Sequence, residues 1–353
     1  MKILLVTYPG GPAAKKEPRL LGCVENALGI REFVESKGHT LVSISDTGTE
    51  MEKHLKDADV CIATPFWPAY VTRERIAKSP KLKLLLTAGV GSDHFDLAAA
   101  AERNIDVAEV TGSNVVSVAE HVVMQILALV RNYIPAYEEV IGGGWDIAKV
   151  AARSHDLEDK VVGIFGMGRI GQRVAARLKP FDVTCYYYDN RRMTTVEEQV
   201  VGTRYMPLEA MLPICDIISI NAPLTPATQE FFNKKRLASL KKGVYIVNTA
   251  RGRIVHTDAL VAALKSGHVA AYAGDVWYPQ PAPADHPWRT MPNHAMTPHV
   301  SGTTLEAQKR YADGIRDCLT RFFNGEAMQR DYVIVEGGRV ASPSYAYAFE
   351  KKK

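Results

Sequence analysis

The sequence predicts an α/β protein made of two doubly wound domains with a cleft between them, and three observations carry that expectation. A length of 353 residues suits about two domains, each able to bury a core of its own. Short apolar runs alternate with helical patterns in two successive series, which implies parallel sheets covered by helices. The second series opens on KVVGIFGMGRIGQRVAARLK, where a buried strand over 161–165 leads into a glycine turn and then a helical period at Val174, Ala175 and Leu178.

In the first series, runs at 3–7, 40–43 and 60–63 read as strands, with helices around 26–37 and near 51–56. Segments 72–77, 84–87, 97–103 and 107–109 continue the alternation. Residues 115–133 are too long and too apolar for a strand, and predict one helix buried on most sides, bridging domains and sitting in a subunit interface. The second series continues through 183–188, 217–220, 244–248, 271–275 and 295–297, with helical patterns at 208–212, 234–240 and 257–266. An amphipathic helix over 305–323 returns the chain to the first domain. That domain is therefore expected to be discontinuous, 1–114 with 301–353 as the substrate domain, around a dinucleotide-binding domain at 115–300. The tail from Asp331 has aromatic and glycine content but too little period to assign most of it to an element.

Composition excludes several classes of function. Hydrophobic residues at 46% and charged residues at 23% match an ordinary globular chain. The net charge is only +4, with no dense basic block before Lys351 to Lys353, so neither nucleic acid nor an acidic membrane surface is expected as a partner. The apolar run at 3–6 is too short for a signal-peptide core, and no run reaches the roughly 18 residues of a membrane span. Five scattered cysteines (Cys23, Cys61, Cys185, Cys215, Cys318) show no C-x-x-C pairing or metal-ligand rhythm, and their odd number argues against a disulfide framework. A reducing, cytoplasmic setting and no metal are the expectation.

Gly166, Gly168 and Gly171 have the G-x-G-x-x-G spacing of a dinucleotide site, in which glycines admit a pyrophosphate to the N-terminus of a helix. Asp189 ends the next apolar run, where a carboxylate can accept hydrogen bonds from a ribose diol. That favours NAD, because the charge would repel a 2′-phosphate; Arg191 and Arg192 follow closely and either accommodate such a phosphate or form a solvated loop edge. Hydride transfer also needs a cation for an anionic substrate and in some reactions a proton carrier. Arg251, after the run ending NTARG, can grip a carboxylate at two points or form a surface ion pair. Asp275 can accept from a carboxamide or cap a turn; His299 is a reactive or a structural histidine; Asn114 binds substrate or caps the following helix.

Taken in order, TAGVGSDH (87–94), GSNVVSVAEH (112–121), GMGRIG, NAPLTPAT (221–228), NTARG, GDVW and PHVSGTT (298–304) resemble the D-specific 2-hydroxyacid dehydrogenase superfamily over nearly the whole chain. TPFWPAY (64–70), WYPQPAPADHPW (277–288), HAMTPH (294–299) and SGTTLEAQKRYADG (301–314) narrow the resemblance to its NAD-dependent formate dehydrogenases. The resemblance implies two Rossmann-like domains and formate as substrate, and the apolar helix over 115–133 leads to the expectation of a homodimer. It implies that Asn114, Arg251 and the backbone at Val90 hold the formate carboxylate, with Pro65 and Phe66 as an apolar wall. It places His299 beside the reacting carbon with Gln280 as its partner, and Asp275 against the nicotinamide carboxamide. Cofactor contacts are implied at Val115, Arg169, Ile170, Pro223, Leu224, Thr225, Pro226, Ala227, Thr249, His299, Val300, Ser301 and Gly302, beside the glycine turn. Val90 departs from the family's isoleucine, which loosens the pocket by one methylene.

Reaction chemistry points the same way. Oxidising a 2-hydroxy acid removes a hydride and a hydroxyl proton, so its histidine acts as a base and related dehydrogenases orient it with a glutamate. Oxidising formate removes a hydride alone, for which the neutral Gln280 is an adequate partner. A hydroxyacid dehydrogenase of the glyoxylate or hydroxypyruvate reductase type is the alternative, and a nonenzymatic NAD-sensing corepressor a further one. No cysteine cluster could carry the iron–sulfur centres of molybdenum formate dehydrogenases.

Overall fold

Short strands, largely buried in the middle of each sheet and more open towards its edges, define both sheets of the computed structural model, which describes residues 1–9, 12, 16, 17, 19 and 29–346. In chain order they are β1 (Lys2–Val6), β2 (Thr40–Ile44), β3 (Val60–Ala63), β4 (Leu84–Thr87), β5 (Asp106–Glu109), β6 (Val161–Phe165) and β7 (Thr184–Tyr188). There follow β8 (Arg204–Tyr205), β9 (Ile217–Ile220), β10 (Val244–Asn248), β11 (Val269–Gly274), β12 (His294–Met296), β13 (Val333–Glu336) and β14 (Arg339–Val340). Strands such as β3, β4 and β9 are buried at every residue, as parallel strands covered on both faces must be.

The chain divides into two compact units, Met1–Asn114 with Gly302–Lys353, and Val115–Ser301. The first unit holds a seven-stranded sheet in the order β14-β13-β5-β4-β3-β1-β2. Its helices include Ile30–Ser36, the described part of the helix expected from residue 26, and Leu305–Asn324. Tyr311, Ala312, Ile315 and Leu319 of the latter pack with Ile3, Leu5, Ile62 and Leu86. Cys23 and the terminal lysines lie outside the described residues. The second unit holds a fully parallel sheet in the order β12-β11-β10-β9-β6-β7-β8. Its strand order reverses between β6 and β9, and the crevice beyond the carboxyl ends of such a pair is where doubly wound sheets take ligands.

One expectation is corrected. The single helix over 115–133 is two helices, Val115–Val130 and Tyr133–Ile141, bent by 67°. Asn132 sits between them at φ 52, and asparagine enters this left-handed region at little cost. Val118, Val122, Ile126 and Val130 pack with Val162, Ile164 and Val174 in the core of the second unit, which accounts for much of the apolar run. No single described helix is long and apolar enough to cross a membrane, though the bent pair passes that test jointly by composition.

The tail is structured too. β13 joins β5 antiparallel and turns through Gly337 and Gly338, both at positive φ, into β14, so the first sheet carries an antiparallel edge. A two-residue Gly-Gly loop between short apolar runs is the signature of a tight hairpin.

Candidate active site

At the switch point of the second unit, β6 ends at Phe165 and the chain turns at Gly166 with φ 97. A Cβ there would lie 2.6 Å from the Ala222 nitrogen, so the turn presses against the backbone that leaves β9. A Cβ on Gly171 would fall on the Gly166 carbonyl oxygen, which makes this glycine the contact between helix Arg169–Leu178 and its own turn. Gly168 differs. It caps that helix without a side-chain hydrogen bond, and a Cβ there would meet no described atom within 4 Å. Open space at a helix N-terminus with N–H groups left over is what a cofactor diphosphate needs, and Arg169 and Ile170 are the first residues of that helix.

Asp189, just past the end of β7, is locked over this turn. Its Oδ2 accepts from the Met167 N–H at 2.7 Å and its Oδ1 from the Arg191 N–H at 2.9 Å, each oxygen keeping capacity for a ribose hydroxyl. Arg191 is 80% exposed and lies 3.4 Å from Glu197; Arg192 lies 3.7 Å from Glu198 and over the Tyr205 ring. Both arginines thus form a solvated edge beside glutamates. In the 223–227 loop, the Thr228 hydroxyl donates to the Pro223 carbonyl at 2.7 Å and accepts from the Thr225 N–H at 2.9 Å, which fixes the run of Pro223, Leu224, Thr225, Pro226 and Ala227.

The candidate reactive side chains follow β10, β11 and β12. Asn248 at the end of β10 clips the next turn, accepting from Ala250 N–H and donating to the Arg251 carbonyl, both at 3.0 Å. Arg251 is half-buried, its Nη1 donating to the Ala250 carbonyl at 2.8 Å. A Cβ on Gly252 would strike the Trp277 backbone, so this turn lies against the segment leading to Gln280. Trp277 in turn donates from its indole to the Thr297 carbonyl at 2.9 Å, tying that segment to the end of β12. Thr249 and Ser301 are buried and Val300 is exposed.

Gln280 and His299 meet as expected. Imidazole Nδ1 lies 2.7 Å from the glutamine Nε2 and 3.0 Å from its Oε1. If the amide donates, Nδ1 is bare and Nε2–H becomes a donor; if its oxygen accepts, Nδ1 carries the proton and Nε2 is bare. A carboxylate would enforce the second form and favour an imidazolium, whereas the neutral amide requires neither. His299 itself has φ 59, a conformation more natural to glycine.

Asp275 is fully buried and accepts from the Thr297 hydroxyl (2.5 Å), Val300 N–H (2.8 Å) and Ser301 N–H (2.7 Å). Such donors are what a carboxylate requires when taken out of water, since an unpaired one costs several kcal/mol or more. Asn248 and Thr297 lie inside the NTARG and HAMTPH motifs, but the sequence assigns neither of them a role. The signal that marks them is a polar side chain at or just past the end of a buried strand.

In the first unit, Asn114 is 8% exposed, and its Oδ1 has no hydrogen-bond partner among the described residues. It does not cap a helix through that oxygen. The amide is hydrogen-bonded to the Tyr311 hydroxyl, which donates to the Gly302 carbonyl, and a Cβ on Gly302 would lie 2.7 Å from the Asn114 nitrogen. One amide atom is therefore held and the other is buried without a described partner, as in a site completed by a ligand. The loop bearing Val90 is fastened by Glu109, which accepts from the Gly91 N–H and the Ser92 hydroxyl at 2.9 Å each. Tyr345 of the tail accepts from the Ser92 N–H at 3.0 Å. Gly89 packs so closely on Pro65 that a Cβ would lie 2.8 Å from the proline ring, which gathers Val90, Pro65 and the half-buried Phe66.

Among the described residues no group of three or more His, Cys, Asp or Glu is placed to hold a metal ion. Burial pushes the thiols of Cys61, Cys185, Cys215 and Cys318 up to about 12, so none of these four is a poised nucleophile.

A glycine turn at a sheet's switch point, an acid just past the neighbouring strand, and an arginine and a glutamine-paired histidine on turns that follow strands of the same sheet define a nicotinamide-dependent oxidoreductase. Residues 123–301 match the family described as D-isomer specific 2-hydroxyacid dehydrogenase, NAD binding domain. The chain is 53% identical to formate dehydrogenase 2, mitochondrial, of Oryza sativa subsp. japonica, over 97% of this chain and 91% of that one. It is 52% identical to the formate dehydrogenase of Pseudomonas sp. (strain 101), over 98% and 88%. The NAD-dependent formate dehydrogenase of Staphylococcus aureus, solved in complex with NAD, superposes with a TM-score of 0.89 at 52% identity, over 95% of this chain and 99% of that one. The chain belongs to the D-isomer specific 2-hydroxyacid dehydrogenase family, in its formate dehydrogenase branch.

Proposed function

We infer that the protein oxidises formate to carbon dioxide by direct hydride transfer from the formate carbon to nicotinamide C4 of NAD. The neutral Gln280 paired with His299 carries this reading, because it suits a reaction that releases no substrate proton. Bound NAD supplies the hydride acceptor. Arg251 grips the formate carboxylate, Asn114 and the backbone at Val90 hold it as well, and Pro65 and Phe66 keep water from the reacting carbon. His299 positions the substrate from Nε2. Asp275 accepts from the nicotinamide carboxamide through the capacity left on Oδ2, whose donor among the described residues is the Ser301 N–H. The rate comes from orientation and from electrostatic accommodation as an anion becomes neutral. Absorbance at 340 nm tests this: it should rise with NAD plus formate, and no rise with formate alongside NADH consumption with glyoxylate or hydroxypyruvate would favour a hydroxyacid dehydrogenase.

NAD use with appreciable NADP tolerance belongs to the same proposal. Asp189 disfavours a 2′-phosphate, while Arg191 and Arg192 can turn from Glu197 and Glu198 to meet one. Replacing both arginines by alanine should lower the NADP-to-NAD activity ratio severalfold; an unchanged ratio would refute the tolerance.

A homodimer is supported by the second helix of the bent pair and the residues next to it, where Tyr133, Tyr137, Ile141, Trp145 and Ile147 are all more than half exposed. Apolar side chains gathered in this way mark an association surface, and a monomer in size-exclusion chromatography at micromolar concentration would remove this part. A cytoplasmic setting rests on the four described cysteines, each buried and outside any disulfide, whereas the rice relative is named mitochondrial.

A further inference from the structure

We propose that His121 and Thr297 are positioning residues that act through Asp275 to set His299, an extension that rests on the proposed formate dehydrogenase activity. His299 lies between two attachments to one carboxylate: Thr297 binds Asp275 Oδ1 through its hydroxyl, and Val300 and Ser301 bind Oδ1 and Oδ2 through their N–H groups. The left-handed backbone of His299 is thus clamped on both sides by a single buried side chain.

The Thr297 hydroxyl has one proton, and its shortest contact, 2.5 Å to Asp275, commits that proton to the carboxylate. The Gly274 carbonyl, at 3.3 Å, is the weaker acceptor and already receives the Thr297 N–H at 2.8 Å. Oγ1 must then accept from its remaining neighbour, His121 Nε2 at 3.3 Å. This assigns the Nε2–H tautomer to His121 and gives a polarised sequence, His121 to Thr297 to Asp275, in which each bond strengthens the next. Burial holds His121 below its ordinary range while the Asp275 charge works the other way, in keeping with a neutral ring. The consequence is that helix Val115–Val130 reaches the reactive histidine through a hydroxyl and a carboxylate, neither of which needs to change its protonation.

The test compares Thr297→Val, which keeps the shape and loses the hydroxyl, with Thr297→Ser, which restores it, and with His121→Leu. Thr297→Val should lower kcat for formate about tenfold and weaken NAD binding severalfold by tryptophan fluorescence titration, while Thr297→Ser stays within about threefold of wild type. His121→Leu should lower kcat about threefold, and the double variant should lose little beyond Thr297→Val, because the two residues act in series. On wild-type protein, 15N-histidine NMR, with the His121 signal assigned from its loss in His121→Leu, should show Nε2 protonated and Nδ1 bare. Wild-type kcat and NAD affinity in Thr297→Val, additive losses in the double variant, or an Nδ1–H tautomer would each overturn the proposal. If wild-type protein fails to turn over formate, the functional reading fails, and NAD affinity and the tautomer still decide the relay.

Discussion

Arg251→Ala should lower kcat/KM for formate by about 10³-fold, equivalent to roughly 4 kcal/mol of transition-state stabilisation. The size of the effect follows from the substrate: formate is one hydrogen on a carboxylate, so the carboxylate oxygens are the only handle for orienting the C–H bond. A guanidinium meets it at two points in one plane. The turn that presents Arg251 is preset by the Asn248 clip and by the approach of Gly252 to Trp277, so little ordering is left to the moment of binding. Arg251→Lys should recover only part of the loss, since an ammonium gives a point charge without the planar fork. NAD affinity and thermal stability of both variants should stay near wild type. Retention by Arg251→Ala of a tenth or more of wild-type activity would remove this residue from the role.

The sites legible in the sequence are those whose chemistry is local. The glycine turn, Asp189 at the end of its strand and the alternation of strands and helices all obey short-range rules of period and backbone freedom, and the structure places them accordingly. What escaped depends on long-range pairing or on a single dihedral. β13 could be found only through its Gly-Gly hairpin, because a four-residue strand has too few positions to show a period. The bend at Asn132 is one left-handed residue inside a continuous apolar pattern, and hydropathy cannot register it. Thr297 and His121 are 176 positions apart, and neither would be paired with the other before the fold brings β12 to the long helix. Tyr345 is 253 positions from the Ser92 nitrogen it binds, so a tail without period still fastens the loop that carries Val90.

Two neighbouring glycines should separate fold from cofactor. Gly171→Ala places a methyl on the Gly166 carbonyl oxygen, with Ile164 Cγ2 only 3.2 Å away on the same side, so helix Arg169–Leu178 must move off its strand. Overpacking against backbone of this kind costs about 1–3 kcal/mol or more, and the expected result is a thermal midpoint lowered by roughly 4–10 °C together with weaker NAD binding. Gly168→Ala meets no described protein atom within 4 Å, and its φ of −73 is open to any residue. Its thermal midpoint should therefore stay within about 2 °C of wild type, since substitutions free of strain change stability by less than about 0.5 kcal/mol. If the cofactor diphosphate seats against the N-terminus of this helix, the added methyl fills the approach, and the NAD dissociation constant should rise about tenfold with kcat at saturating NAD much less changed. The pair is decisive because the two outcomes cross: Gly171 is answerable to the protein's own backbone and Gly168 to a group the protein must admit. Differential scanning fluorimetry without NAD, read beside fluorescence titration with it, separates them. Wild-type NAD affinity in Gly168→Ala would move the diphosphate away from this turn, and a wild-type thermal midpoint in Gly171→Ala would mean that the helix and its turn yield where the structure has them in contact.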